Sequence, residues 1–425
     1  MDYSEKVDED AVLRARMMLL GSGYLSLGQR IEAYQVLAEV SPLAYLPKLS
    51  DALVSQGYAA EFRDRPDMRL ALHAEAVATA RRVHASHPKR TQVLVGALAA
   101  YQADLYSAGR RAEGFAVCEE MAETGRWGFE QGQVPSPMYG HRRLAAVLAE
   151  EGRHREAAEI CGKIVQAARP ESRAGVSLWT MVEWVAELDA AGHHDAALKA
   201  FAEVVGASRG ELGTGSTSLA ILTWHLVHHA GMLDTAGRRT EAGGARKEAL
   251  ALLAELGETG ERTGWSNFLS WWSILLALSG RSAEPAASPS APAPAFGSDL
   301  HNWSPDIRQA YFRGLSTLEE EAAALAETAK TDPHEHLPEL VAVHRRLTTR
   351  SALYWENRSH LILKPLRPVL DEGVALARRL ADLAGADRDR EALGRALTDR
   401  SMFLVAAQQY GEAYDDFLEV IALLD

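Results

Sequence analysis

The sequence has little cysteine, with only Cys118 and Cys161 in 425 residues. Two cysteines exclude a disulfide framework, and neither belongs to a Cys-x-x-Cys pair of the kind that holds zinc. Both cysteines lie nine residues after the glycine of a Gly-Arg dipeptide, in equivalent positions of a repeated segment. We therefore expect both thiols to be buried and to fill the core.

The chain also lacks an excess of positive charge and lacks a long apolar run. Its net charge is -13 and its sequence pI is about 5.6, which argues against general nucleic-acid binding because that needs a basic face. The N-terminal residues are acidic, whereas a signal peptide needs a positive first region. The longest apolar stretch, around Phe268 to Leu278, is interrupted by serines and is too short to span a bilayer. These features predict a cytoplasmic protein that binds neither nucleic acid nor a membrane.

Signatures of catalysis are missing as well. The Gly-rich run at 206–216 has no Gly-Lys-Ser/Thr ending and no preceding strand, and no Gly-x-Ser-x-Gly elbow is present. His225 and His229 have the spacing of a helical metal pair, but no Glu follows His225, so the sequence has no His-Glu-x-x-His motif. His193 and His194 lie in a predicted turn and are expected to be solvated. We predict a protein that is not an enzyme and has no metal or cofactor.

A repeated phrase is what the sequence does have. It reads Gly-polar-polar-x-Glu/Ala-Ala and begins at Gly28, Gly109, Gly152, Gly192 and Gly237, with weaker copies at Gly280 and Gln408. The steps from Gly109 to Gly280 are 43, 40, 45 and 43 residues. A period of this length is typical of stacked supersecondary units, in which each repeat buries its apolar face against the next.

The residue types of the phrase predict two helices joined by a short turn. Glycine ends one helix in a left-handed conformation that other residues resist, and an acidic residue then favours the first turn of the next helix. Four residues before the turn position the chain has a large apolar residue in every copy: Tyr24, Leu105, Leu148, Leu188, Leu233, Leu276 and Leu404. This column is expected to pack between paired helices.

The pattern resembles the tetratricopeptide repeat family, in which a large apolar residue, a small residue and the turn glycine precede a helix-B alanine. Ala33, Ala157, Ala197, Ala242 and Ala413 match that alanine, while Gly114 and Pro285 depart from it. The family repeat has ~34 residues, so these units resemble the longer, degenerate arrays found in GC-rich bacteria. The resemblance implies an all-α fold, a right-handed superhelix of antiparallel helix pairs, and a protein or peptide partner.

Composition divides the chain into three parts. We predict a helical-repeat array over residues 1–280, an Ala/Pro/Ser-rich linker or disordered loop over 281–299, and a second helical region over 300–425. The last helix has an apolar face with nothing after it. Because solenoids usually need a polar cap, this face is expected either to pack back on the protein or to join two copies of the chain.

The resemblance also predicts a binding groove. In the family, helix A lines the concave surface, and the position thirteen residues before the turn glycine faces it. This column holds Gly96, Tyr139, Trp179, Trp224 and Asn267, and Arg142 lies one turn from Tyr139. Asp189 and Asp234 lie three residues before their turns, at the other end of the predicted groove surface. Aromatic residues of this kind dominate interface hot spots. The alternative is that longer helices shift the register and place these aromatics in the core between helices.

Three functions are compatible with these patterns. The favoured hypothesis is a scaffold or adaptor that binds a partner on the concave face. The second is a regulatory sensor without a DNA-binding domain that responds to a peptide or small ligand and sequesters a partner. A self-assembling structural protein is the weakest of the three.

For the adjacent Trp271 and Trp272, we expect one in the core and one partly exposed, because neighbours on a helix point about 100° apart.

Overall fold

The computed structural model describes residues 8–21, 24–168, 177–212, 217–261, 268–356, 363–384 and 387–424. The described chain is built from α-helices, with short 3-10 turns at 60–62, 281–283 and 300–302. The helices are α1 Glu9–Leu20, α2 Leu27–Val40, α3 Pro42–Gly57, α4 Pro66–Arg81, α5 Arg90–Ser107, α6 Arg111–Glu130, α7 His141–Glu150, α8 His154–Ala168, α9 Leu178–Ala190, α10 His194–Leu212, α11 Leu219–Thr235, α12 Arg239–Thr259, α13 Phe268–Gly280, α14 Pro305–Thr331, α15 Pro333–Glu356, α16 Leu363–Ala384, α17 Asp387–Ala406 and α18 Tyr410–Leu424. Among these residues no helix is long and apolar enough to cross a membrane.

The repeated phrase forms one kind of turn. Gly109, Gly152, Gly192 and Gly237 have φ between 72° and 80°, and Gln408 takes the same place with φ 59°. In each turn the residue after the glycine donates its N–H to the carbonyl five residues back, as Arg110 does to Leu105 at 2.9 Å and His193 does to Leu188 at 2.9 Å. This is the Schellman pattern, which needs a left-handed residue and therefore favours glycine. The two helices that such a turn joins pack against each other, as α5 does with α6 and α11 with α12.

An ion pair closes three of these turns. Arg110, Arg153 and Arg238 each bind the carboxylate three residues later, at 2.6–2.7 Å. The phrase at Gly28 behaves differently: Ser26 caps α2, and Gly28 lies inside that helix. Tyr24 is accordingly 96% exposed rather than packed between helices, whereas the leucines of the same column are buried.

The helix-B alanines pack as the resemblance implies. Ala157, Ala197, Ala242 and Ala413 are fully buried. Gly114 departs from this pattern, and a Cβ placed on it would lie 3.0 Å from the ring of Tyr106. The larger ring occupies the space that the alanine methyl fills elsewhere. The prediction of an all-α helical-repeat fold is therefore confirmed.

The contacts divide the chain into two compact units. The described residues of the first are 8–147, 166–168 and 304–306, and the second comprises those of 148–165, 177–303 and 307–424. The core of the first unit is formed by apolar residues of α2 to α6, among them Leu46, Leu53, Leu98 and Leu105. Within it the buried Asp104 accepts hydrogen bonds from Arg69 and His73, both at 2.6 Å.

In the second unit a separate apolar cluster is formed by α14, α15 and α16, and the larger core reaches from α8 to α18. The C-terminal helices belong to it: α13 packs against α11, α15 and α17, and α18 packs against α12 and α17. The apolar face of α18, with Phe417 and Val420 each 1% exposed, therefore packs back on the protein, which is one of the two expected outcomes.

Two expectations about buried residues have opposite outcomes. Cys118 and Cys161 are buried free thiols, which confirms that they fill the core. Trp271 and Trp272 are 5% and 2% exposed, so the expectation that one of them is partly exposed is wrong. Both are buried because α13 is enclosed by helices on more than one side.

Residues 281–299 differ from a linker or disordered loop in their contacts. Ala295, Phe296 and Gly297 are buried, whereas Pro289, Ser290 and Ala291 are exposed. The whole segment belongs to the second unit, which also contains the helices on either side of it. The unit boundaries therefore do not fall at this segment, although its composition is that of a linker.

Candidate partner-binding surface

Helix α9 carries two of the predicted groove residues, Trp179 and Asp189. Trp179, Val182, Ala186 and Asp189 follow each other at intervals of three, four and three residues. Residues at these intervals lie on one face of an α-helix. α9 is also the first helix of its pair, since the turn at Gly192 joins it to α10. Trp179 and Asp189 thus lie on one face of α9, together with Val182 and Ala186.

Part of the chain itself, the segment of residues 281–303, covers this face. Val182 and Ala186 are both 0% exposed, and Gly297 lies directly against them. A Cβ placed on Gly297 would overlap the Cβ of Ala186 and lie 3.5 Å from the carbonyl oxygen of Val182. Gly297 also has φ 95°, a conformation that side chains rarely adopt. Only glycine therefore fits where the segment crosses α9.

The same segment contacts the C-terminal end of α7 and the turn after it. Ala293 donates its N–H to the carbonyl of Glu150 at 2.9 Å. A Cβ on Gly152 would overlap the carbonyl oxygen of Ala287, so the two backbones touch here as well. Main-chain contacts of this kind hold extended peptides irrespective of their side chains.

Two carboxylates of α9, Glu183 and Glu187, are buried. Glu183 is 7% exposed and accepts a hydrogen bond from Asn302 at 3.3 Å. Glu187 is 5% exposed and accepts from Nδ1 of His154 at 2.8 Å. Arg281 donates to Nε2 of that histidine at 3.3 Å and to the carbonyl of Ala186 at 2.7 Å. Glu183 therefore meets Asn302, whereas Glu187 meets His154 of α8, which is itself contacted by Arg281.

A buried ion pair anchors the start of the segment. Both carboxylate oxygens of Glu284 accept from Arg350, at 2.9 and 2.5 Å, and Tyr311 donates to the same carboxylate at 3.2 Å. Burial first, and then the Glu284 carboxylate, raise the pKa of Tyr311 well above its ordinary value. A two-point contact to arginine fixes the carboxylate in direction as well as in position.

An aromatic cluster anchors the end of the segment. Phe296, Trp303 and Tyr311 meet edge to face, with ring centroids 5.4 to 6.0 Å apart. The indole N–H of Trp303 donates to the carbonyl of Ala295 at 3.2 Å, so the segment folds back on itself. Phe296 and Trp303 are 4% and 2% exposed.

The predicted aromatic column is not brought together on one open surface. Trp224 is 2% exposed and donates its indole N–H to the carbonyl of Met402 in α17 at 3.2 Å. Trp224 therefore lies in the core, because α17 packs against this part of α11. This agrees with the alternative interpretation, in which these aromatics lie in the core between helices. Trp179 is partly buried and stacks on Trp271 with ring centroids 3.6 Å apart. Tyr139 lies in the turn before α7 and packs on the core of the first unit.

The polar candidates have separate positions. Arg142 is exposed on α7. Asp189 binds the exposed His194 at 2.7 Å, and Asp234 binds Arg246 of α12 at 2.5 Å. Each aspartate therefore pairs with the second helix of its own repeat. Asn267 lies outside the described residues.

The histidines of α11 lie in an aromatic environment. His225 is buried, its Nδ1 is 2.8 Å from the hydroxyl of Ser208, and its ring is perpendicular to Trp271 at 4.8 Å. Burial lowers the pKa of His225 to about 3 and that of His228 to about 4, and also lowers the pKa of His229. These neutral rings contact Phe201 at 4.9 to 6.1 Å and form part of the packing.

Sequence reasoning missed the residues that cover the face. Phe296 and Gly297 fall in a stretch whose composition resembles a linker, and Glu284 is a single acid beside it. Their role depends on contacts across more than a hundred residues of sequence, such as Asn302 to Glu183. The sequence feature that could have predicted this role is the pair Phe296-Gly297, because an aromatic residue and a glycine stand together within a segment of otherwise small residues.

Comparison with known proteins gives structural neighbours. No family model matches the sequence, and no curated protein matches it. The chain is similar to two crystal structures, one of them of a variant, described as a kinesin light chain with nearly identical TPR-like repeats from Podosopora anserina. The first is 18% identical, covers 52% of this chain and 98% of that chain, and has a TM-score of 0.37. The second is 20% identical, covers 51% and 96%, and has the same TM-score of 0.37.

At this identity and TM-score the neighbours say nothing about what the chain binds. The chain's own features define its type. Its helices form consecutive pairs, its turns repeat one Schellman geometry, and its helix-B alanines are buried in register. The chain is an all-α helical-repeat protein whose paired helices and turns resemble those of tetratricopeptide repeats.

Proposed function

We propose that this protein is a scaffold that binds an extended segment of a protein or peptide partner on the first-helix faces of its repeats. One observation supports the proposal most directly: the face of α9 already holds a non-helical stretch and a short 3-10 turn of the chain's own residues 293–302. The contacts use a backbone carbonyl, a carboxylate and a close glycine approach. These are the elements by which grooves hold extended peptides.

A cross-linking experiment tests the proposal. A photo-reactive amino acid replaces Asp189, whose side chain is 47% exposed at the end of the α9 face. The matched control carries it at Lys199, which is exposed on α10. We expect a stoichiometric partner from the native host to cross-link from position 189 and not from 199. Equal cross-linking from both positions would contradict binding on this face.

The covered face also favours the alternative of a regulatory sensor. A scaffold whose binding face is covered by its own chain binds a partner only when that cover moves, because the two compete for one surface. Sequestration of a partner would then depend on the state of residues 281–303. Cross-linking from position 189 that increases when the cover is disrupted would support this alternative.

A further inference from the structure

One face of helix α1 packs on α2 within the first unit. Ala15 is buried in a small apolar cluster with Ala33 and Leu37 of α2, and Val12 and Leu19 pack against that cluster. Positions 12, 15 and 19 are separated by three and four residues, so they share one side of the helix. This side holds α1 in the unit.

The opposite face of α1 is apolar as well, but it is exposed. Leu13, Met17 and Leu20 are separated by four and three residues and are 60%, 64% and 83% exposed. A helix that is apolar on opposite sides is normally enclosed on both, as α13 is among its neighbours. Covering these side chains is favourable because it removes apolar surface from water.

Exposed apolar side chains are concentrated at this end of the first unit. Of the eleven large apolar residues that are exposed in the described chain, six lie within residues 13–43: the three of α1 together with Tyr24, Val40 and Leu43. Their exposed parts amount to about four whole side chains, or roughly 600 Å² at about 150 Å² each. A stable interface buries about 800 Å² per partner, so these residues supply most of the area that a dimer needs.

The charges beside the exposed face make α1 complementary to itself. Because successive residues are about 100° apart, Glu9 and Arg16 border the apolar face on one side, and Asp10 and Arg14 border it on the other. In an antiparallel pair of such helices, each side meets the same side of the other copy, so acid lies beside base. A parallel pair would place acid beside acid and base beside base. The ion pair of Arg14 with Asp8, at 3.5 Å and largely exposed, holds its arginine only weakly.

From these observations we propose that α1 forms the interface of a symmetric dimer, in which a second copy of the chain lays its own α1 antiparallel on the first. Leu13, Met17 and Leu20 of the two copies cover each other, and the charges at the borders fix the direction. A two-fold interface uses one surface twice, which this face satisfies. The inference concerns the first unit and does not depend on the proposed function of α9.

The mass in solution tests the proposal. Sedimentation equilibrium over a micromolar concentration series should give twice the chain mass of 46.3 kDa. Met17→Glu should raise the dissociation constant at least about tenfold, because it would bury a charge among apolar side chains. Leu418→Glu is the matched control on α18, where the leucine is 48% exposed, and it should leave the dissociation constant unchanged. Circular dichroism melts show that both variants are folded.

Charge exchange tests the direction of the pair and identifies the second copy as the occupant. One variant carries Glu9→Arg with Asp10→Arg, and the other carries Arg14→Glu with Arg16→Glu. Each variant alone has charges of one sign along both borders, so each should be monomeric at concentrations where the unaltered chain is dimeric. Mixed in equal amounts, the two should form a heterodimer, which native mass spectrometry distinguishes by mass.

Several results would overturn the proposal. One is the mass of a single copy throughout the concentration series, including a single copy that cross-links to a different host protein through α1. Another is a dimer that Met17→Glu and Leu418→Glu affect equally, since its contact would then lie elsewhere. Where Met17→Glu loses its cooperative melt, the charge variants decide because they keep the apolar face: a heterodimer supports the proposal, and a mixture that stays monomeric overturns it.

Discussion

At the scale of the residue, Gly114 and Tyr106 show how one repeat departs from the shared pattern. The helix-B position holds alanine in the neighbouring repeats, and Tyr106 stands where the next two repeats have Ala149 and Asp189. The ring of Tyr106 is fully buried and lies 3.0 Å from the place of a Gly114 Cβ. The large residue and the missing methyl therefore compensate each other.

We predict that Gly114→Ala destabilises the protein by about 1–3 kcal/mol, because an added methyl in a packed core forces its neighbours to move. Gly244→Ala is the matched control: it is helical, exposed and open, and alanine should stabilise it by about 0.5–1 kcal/mol through helix propensity. Urea unfolding measures both. The compensation is refuted if the two variants shift the midpoint in the same direction.

His225 gives a prediction about pH. Burial lowers its pKa in the folded state to about 3, whereas the unfolded chain protonates it near pH 6.5. Between these values only the unfolded chain takes up the proton, so stability is full above about pH 6.5 and is lost as the pH falls toward 3. The loss is about 1.4 kcal/mol per pH unit for one such histidine.

Replacing His225 by phenylalanine should flatten this part of the stability profile, measured by urea unfolding at pH 4.5 to 7.5. Ser208→Ala is the control: it removes the hydrogen bond to Nδ1 but leaves the buried ring. It should lower stability by about 1 kcal/mol at every pH and keep the slope. An unchanged slope in the phenylalanine variant would show that His225 is not the group responsible.

At the scale of the element, the turns were readable from local sequence. The left-handed glycine, the leucine four residues before it and the Arg-x-x-Glu pair are all within ten residues of each other, and their geometry repeats at Gly109, Gly152 and Gly237. Gly28 has the same letters, but its phrase lies inside α2 because Ser26 caps the helix earlier. A local motif therefore predicts the turn only where no stronger cap precedes it.

Alanine substitutions at Gly152 and Gly192 distinguish strain within the turn from loss of the contact with residues 281–303. Both have φ near 75–80°, so alanine should strain either turn by about 1–2 kcal/mol. No described atom meets a Cβ on Gly192, whereas a Cβ on Gly152 overlaps Ala287 of the segment. Gly152→Ala should therefore destabilise more than Gly192→Ala and alone accelerate hydrogen exchange at Ala293. Equal exchange in both variants would mean that the contact at Ala287 does not hold the segment.

At the scale of the whole molecule, the helical periodicity of the sequence predicts which residues share one face of a helix. It does not predict which distant part of the chain packs on that face. The spacing of Trp179 and Asp189 marked one face of α9, and Val182 and Ala186 lie on that face as the helical repeat requires. Trp224 has the same place in its repeat, yet its partner Met402 is 178 residues away. No local pattern encodes such a contact, and the same reason explains why Trp271 and Trp272 are both buried.

Trp224 and Trp179 test this difference between core and surface. Trp224→Ala removes a fully enclosed indole between α11 and α17, so we expect a loss of about 3–5 kcal/mol. Trp179→Ala removes a ring that is only partly buried and stacked on Trp271, and the expected loss is smaller, about 1–3 kcal/mol. Trp224→Phe keeps most of the volume and isolates the hydrogen bond to Met402. Thermal unfolding monitored by circular dichroism gives the order Trp224→Ala, Trp179→Ala, unaltered protein, from the lowest melting temperature to the highest. A Trp224→Ala protein that melts like the unaltered chain and loses a bound partner would instead place that indole on an open binding surface.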